Sequence, residues 1–236
     1  MNANDPNVAK VELIAAALGG LCERLILVGG CATGLLVTDA AAAPARVTFD
    51  VDLLAEVTAR SDYYRLEKEI AALGFTRDMA KDAPICRWRY GALEVDLMPS
   101  DPSVLGFSNR WYPVAIQTAQ VTRLPSGGQI RLIAAPALMA TKFVAFADRG
   151  NGNFLASHDL EDIVTVVAGR PELAQEIAES PAELQAYLAQ ECASLIANAA
   201  FHDGLQGLVS PDEFHGAQVA TVVERLTRIA GQLASA

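Results

Sequence analysis

Apolar and polar positions follow two rhythms along this 236-residue chain, and the change falls near residue 133. Leu13 to Leu21 has helical spacing, whereas Arg24 to Val28 is a short apolar run of strand length stopped by Gly29-Gly30. Ala32 to Ala42 is rich in helix formers and ends before Pro44. Arg46 to Leu54 then alternates as a strand does, with Val47, Phe49, Val51 and Leu53 on one face and Arg46, Thr48, Asp50 and Asp52 on the other. The spacing predicts a helix over 62–73 with Gly74 as its C-terminal cap. A hairpin follows, Ile85 to Tyr90 and Leu93 to Met98 about Gly91, with Glu94 and Asp96 sharing the polar face of its second strand.

Beyond residue 133 the pattern is helical. Pro136 suits a first helical turn, and Ser180-Pro181-Ala182-Glu183 and Ser210-Pro211-Asp212-Glu213 read as capping boxes, predicting four or five helices. Pro125-Ser126-Gly127-Gly128 marks a candidate boundary, so the expected organisation is α+β: residues 1–128 a small mixed β-sheet with flanking helices, residues 129–236 a helical lobe.

Composition narrows the class. A chain that is 52% hydrophobic can bury a large core. No apolar stretch reaches the ~20 residues that cross a bilayer. Cys22, Cys31, Cys86 and Cys192 form no C-x-x-C pair and no leader pattern is visible, which predicts free thiols in a reducing cytoplasm and no membrane partner. The net charge of −10 argues against a surface that binds nucleic acid throughout. It is unevenly spread: −4 over 1–76, +3 over 77–149 and −9 over 150–236. Arg87, Arg89, Arg110, Arg123, Arg131, Lys142 and Arg149 either line a cleft for a polyphosphate or are scattered surface charge.

Asp50 and Asp52 are the first candidates for chemistry. On a strand, i and i+2 share a face about 6.5 Å apart, and two ionised carboxylates there repel unless water screens them or a cation lies between. Magnesium, which takes one or two carboxylates and fills its octahedron with water and phosphate oxygens, suits such a pair, as does a purely structural D-x-D. Asp96 adds a third acid from another strand, the layout of two-metal phosphoryl transfer, with Asp96 a ligand, a base, or a strand-end cap before Pro99. Gly29-Gly30 is a turn or an anion site at a helix N-terminus, and Thr33 either adds a hydroxyl to a phosphate or is simply a helix residue. The chain has neither G-x-G-x-x-G nor G-x-x-x-x-G-K-[ST]. His158, His202 and His215 lack zinc spacing; Trp88, Trp111 and Tyr112 either stack on a base or are core or rim.

The order strand, Gly-Gly, helix, Asp-x-Asp, then a later Asp resembles the DNA polymerase beta-like nucleotidyltransferase superfamily. The fuller string GGCATGLL … RVTFDVDLL is similar to its AbiEii branch of toxin-like nucleotidyltransferases. That branch carries a lysine on a helix and an aspartate opening a later one, which Lys142 in ATKFVAFADRG and Asp159 in SHDLEDIV match; residues 170–236 match nothing. The resemblance implies a nucleotidyltransferase fold with a nucleotide between two lobes, and transfer of a nucleoside monophosphate from an NTP to a hydroxyl of tRNA, protein or a small molecule. It implies catalytic Asp50, Asp52, Asp96, Lys142 and Asp159. Mg2+ or Mn2+ would sit on Asp50, Asp52 and Asp96, and the nucleotide would meet Gly29, Gly30, Thr33, Arg46, Thr48 and Lys142. In chemical terms Lys142 is a point charge for a triphosphate or a snorkelling edge lysine. Asp159 orients Lys142 or merely serves a helix dipole. Asp162, opposite the apolar stripe of Leu160, Ile163, Val164 and Val167, is expected to be solvated or a support. The resemblance also implies an antitoxin partner. The rival expectations are an antibiotic-modifying enzyme, favoured by the acidic C-terminal part, and a non-catalytic nucleotide-binding or interaction module.

Overall fold

The computed structural model describes residues 5–150, 152–209 and 215–232. They fall into two compact units, one built from 5–32 and 46–134, the other from 33–45 and from 135 onward.

The first unit holds helices α1 (Val8–Leu18), α3 (Arg60–Ala72), α4 (Pro102–Leu105) and α5 (Tyr112–Thr118), and strands β1 (Leu25–Val28), β2 (Asp50–Ala55), β3 (Thr76–Arg77), β4 (Arg87–Tyr90), β5 (Leu93–Pro99), β6 (Gln120–Arg123) and β7 (Gln129–Leu132). Among the described residues the strands form one seven-stranded sheet in the order β3-β4-β5-β2-β1-β7-β6. The β2–β5 and β1–β7 pairs are parallel and the rest antiparallel, so the sheet is mixed. β1 reads Leu-Ile-Leu-Val and is buried at every position, as a central strand covered on both faces requires. β2 keeps the predicted alternation, with Val51 and Leu53 in the core and Asp50 and Asp52 on the opposite face.

Helix α2 (Gly29–Leu36) begins in this unit and continues into the second, which also holds α6 (Ala135–Arg149), α7 (His158–Gly169), α8 (Leu173–Ala178), α9 (Ala182–Ile196), α10 (Ala199–Leu208) and α11 (His215–Ala230). Six helices after residue 134, among those described, exceed the four or five expected. No helix among the described residues is long and apolar enough to cross a membrane.

Several expected elements differ for identifiable reasons. Residues 46–49 lie outside the sheet, with Val47 60% and Phe49 83% exposed. Upstream of Asp50 no strand among the described residues pairs with the chain, because β1 ends at Val28 opposite Asp52 and β5 turns away at Leu93, which pairs with Tyr90. α1 starts at Val8 and stops at Gly19, whose φ of 54° breaks it. α2 begins at Gly29 itself and stops at Leu36, not Ala42, because the N–H groups of Thr38 and Asp39 both donate to the Gly169 carbonyl at 2.9 and 3.0 Å. The Pro125–Gly128 stretch is the turn of the β6–β7 hairpin, in which Gly127 adopts φ 91°. Ser180 caps nothing: its hydroxyl donates to the Glu176 carbonyl, and Pro181 precedes α9. The second capping box, 210–213, lies outside the described residues.

Candidate active site

Asp50, Asp52 and Asp96 meet because two adjacent strands run parallel in register, pairing Asp50 with Glu94 and Asp52 with Asp96. Each carboxylate offers an oxygen, and these atoms all lie within 4.8 Å of one another. Asp96 is 7% exposed and its two companions half-buried. Oxygen donors this close suit a hard divalent cation.

Gly29 is the immediate neighbour. It follows Val28, which pairs with Asp52, and turns into α2 with φ 66°. A β-carbon there would lie 1.8 Å from Asp52 Oδ2, and one on Gly30 would lie 3.1 Å from both Arg46 Nη2 and Thr48 Oγ1. Gly-Gly and Asp-x-Asp are therefore two walls of one place, together with Arg46 and Thr48. Thr48 Oγ1 also donates to Asp50 Oδ1 at 3.1 Å. Thr33, one turn into α2, is wholly buried, and its hydroxyl has no partner among the described residues.

Two residues with a part in this architecture escaped the sequence reading, and the role of a third, expected only as one of several cations, goes beyond it. Asn7 is wholly buried and clamps the unpaired segment: its Nδ2 donates to the Arg46 carbonyl at 2.8 Å, and its Oδ1 accepts from the Thr48 N–H at 3.0 Å. Lys10 Nζ donates to the Thr48 carbonyl. The third is Arg87. Its guanidinium takes Asp96 bidentately, Nε and Nη2 each at 2.8 Å, reaches Asp50 through Nη2 at 2.9 Å and Glu94 through Nη1 at 2.6 Å. The hydrogen bonds to Asp96 push its pKa further up, against a burial that lowers it. A signal existed: a hairpin that pairs Tyr90 with Leu93 necessarily sets Arg87 opposite Asp96.

Lys142 and Asp159 come together in the second unit. Lys142, 7% exposed, lies 3.1 Å from Asp159 and 2.6 Å from Asp162. Asp162 is 1% exposed, so it is a support of the lysine and not a solvated acid. Arg149 closes the cluster from outside with two bonds to Asp159, at 2.7 and 2.8 Å. Burial pushes the Asp159 carboxyl up, but the hydrogen bonds and charge of Arg149 and the charge of Lys142 outweigh it and hold the pKa below the usual carboxylate range. Ser157 caps α7, accepting from the Leu160 N–H.

The arginines and lysine of the basic middle third are mostly committed to local partners: Arg89 to Asp78 and Glu94, Arg131 to the Glu23 and Ile116 carbonyls, Arg110 over the Trp111 ring at 5.1 Å. Trp88, Trp111 and Tyr112 are core. All four cysteines are free and buried; burial raises the thiol pKa of each, to about 12 for Cys86 and Cys192. Among the described residues no histidine joins a metal-competent cluster.

No protein-family model matches the chain and no curated protein matches it in sequence. Solved structures do match it in fold. The antibiotic-resistance factor ANT(2'')-Ia, known from a solution structure, aligns with a TM-score of 0.51 and 18% identity over 80% of this chain and 96% of its own. A protein from H. pylori assigned as a nucleotidyltransferase, known from a crystal structure, aligns with a TM-score of 0.51 and 11% identity over 100% of this chain and 98% of its own. The mixed sheet with its flanking helices is thus the nucleotidyltransferase fold.

Proposed function

We propose that the chain is a metal-dependent nucleotidyltransferase that moves a nucleoside monophosphate from an NTP to an acceptor hydroxyl, releasing pyrophosphate. One observation carries this: on that fold, three carboxylates from two adjacent strands converge beside a glycine whose missing side chain leaves room for them. Asp50, Asp52 and Asp96 would hold Mg2+ or Mn2+, which when bound would polarise the phosphates and favour ionisation of the acceptor hydroxyl. Asp96 is better suited to holding charge than to taking a proton, since both its oxygens already accept from Arg87. Thr48 and Asn7 set the direction of Asp50 and of the chain leading into it. Gly29 and Gly30 bring backbone N–H groups to the start of α2, where an anionic phosphate is favoured. Lys142 would contribute its ammonium to the triphosphate, with Asp159 and Asp162 fixing its position.

For the acceptor we favour a cationic small molecule over RNA, because residues 150–236 carry a balance of −9 and one fold neighbour is an antibiotic-resistance factor. A toxin role with tRNA or protein as acceptor and an antitoxin partner rests on the sequence resemblance alone. Four buried free thiols are in keeping with a reducing cytoplasm. The test is incubation with each α-labelled NTP and Mg2+ or Mn2+, offered total RNA, cell protein or small-molecule extract, alongside Asp50→Ala and Lys142→Ala. Label transfer that both substitutions abolish supports the assignment. No labelled acceptor, with nucleotide binding equal in wild type and Asp50→Ala, defeats it.

A further inference from the structure

Arg87 joins two of the three acids of the candidate metal site. Its Nη2 lies 2.9 Å from Asp50 Oδ2 and 2.8 Å from Asp96 Oδ2, and its Nε engages the other Asp96 oxygen at 2.8 Å. A planar guanidinium held on three bonds between two carboxylates gives them the counter-charge that their proximity demands. The side chain is only 17% exposed, so this contact is not a loose surface pair. On its far side Nη1 is anchored to Glu94 at 2.6 Å, and Glu94 is itself tied to Arg89 at 2.9 Å.

We propose that Arg87 is the resident counter-cation of the Asp50–Asp96 pair and that a divalent cation enters by displacing it. This rests on the metal site proposed above. An ion bridging Asp50 and Asp96 needs oxygen lone pairs that now accept from Nη2, and a positive charge at that spot repels it. Entry therefore requires Nη2 to leave Asp50, while Nη1 on Glu94 keeps the guanidinium at the rim. The apo cluster is thereby stable without metal, and metal affinity is set below what three bare carboxylates would offer.

The test is Mn2+ binding to the full chain, read from the free-ion electron paramagnetic resonance signal, with no nucleotide present. Asp52→Asn serves as the site control, and Arg87→Gln, Arg87→Lys and Arg89→Gln are the comparison. Arg89 carries the same charge and shares Glu94 but has no bond to Asp50 or Asp96, so it measures the background field alone. Arg87→Gln is expected to bind Mn2+ about tenfold more tightly than wild type and Arg89→Gln less than about threefold more tightly, because direct contact outweighs a screened distant charge. Arg87→Lys, a point charge that cannot hold both carboxylates as the fork does, falls between wild type and Arg87→Gln. It decides the matter if thermal melts show Arg87→Gln to be unfolded. Wild-type binding no tighter than that of Asp52→Asn removes the metal site and this inference with it. Tight wild-type binding, lost in Asp52→Asn, with no gain in the Arg87 variants or an equal gain in Arg89→Gln, leaves the metal site standing and overturns the role of Arg87.

Discussion

A β-carbon on Gly29 would stand 1.8 Å from Asp52 Oδ2, so the two residues share one space and position 29 cannot gain an atom without moving the acid. Gly29→Ala adds a strained backbone to that clash, since φ is 66°. Gly19 is a fair control, with φ 54° and nothing within 4 Å of the added atom. We expect Gly19→Ala, whose ψ of −126° lies outside the left-handed helical well, to cost backbone strain alone, and Gly29→Ala to add the clash with Asp52 and to weaken Mn2+ binding. Urea melts and Mn2+ titration of the two variants check this. Equal stability losses with intact Mn2+ binding in Gly29→Ala contradict it.

Asn7 supplies hydrogen bonds that a strand neighbour would otherwise give to residues 46–48. Asn7→Ala leaves the Arg46 carbonyl and Thr48 N–H without it, at about 1–3 kcal/mol. Asn7→Asp keeps the acceptor for Thr48 but sets a carboxylate oxygen against the Arg46 carbonyl, so it gives no rescue. Limited proteolysis should show faster cleavage near Phe49 in both variants, and an unchanged rate would speak against the clamp.

The sheet acids were legible because strand alternation is a local property: Asp50, Asp52 and Asp96 could be put on polar faces from their neighbours alone, and they do converge. Gly29-Gly30 was legible for the same reason. Arg87 is readable in principle from the hairpin register, but the sequence presents it as one member of a basic stretch, because its bond to Asp50 spans 37 residues. Asn7 left no such trace, since its partners are backbone atoms 39 and 41 residues away. Helix propensity over 37–42 was overruled by bonds to the Gly169 carbonyl, a distant end of another helix. Of the two expectations for Asp162, solvated or a support, the structure bears out the second; the apolar stripe of α7 alone does not reveal that a lysine from α6 reaches it.

Lys142 sits between two nearly buried carboxylates. Lys142→Met strands them, with Arg149 left to serve Asp159, and should destabilise by about 3–5 kcal/mol. Adding Asp162→Asn removes one of the stranded charges, so the double variant should be more stable than Lys142→Met alone. A double-mutant cycle in urea measures the coupling, and strict additivity would show the pair to be energetically independent.

Asp159 gives a pH dependence of definite sign. Its folded-state pKa lies below the unfolded value, so its contribution is present above the unfolded pKa of about 3.9 and is lost as pH falls through the folded one. Urea midpoints for wild type should therefore drop on acidification below about pH 4 more steeply than those for Asp159→Asn. Arg149→Gln should make the drop smaller and end it at a higher pH, by a modest amount because Arg149 is 72% exposed. Parallel acid limbs in all three proteins would refute the assignment.

Asp52 and Asp96 face each other across parallel strands, and a parallel pair cannot be closed by a tight turn; the chain between them runs through α3, β3 and β4. Contacts of such separation are formed only once much of the chain is ordered, so a disordered chain offers the acids singly. A cation that requires them together can bind only the finished sheet, and its binding energy is added wholly to the folded state. In kinetic terms the ion would act as a latch on unfolding and not as a template for folding.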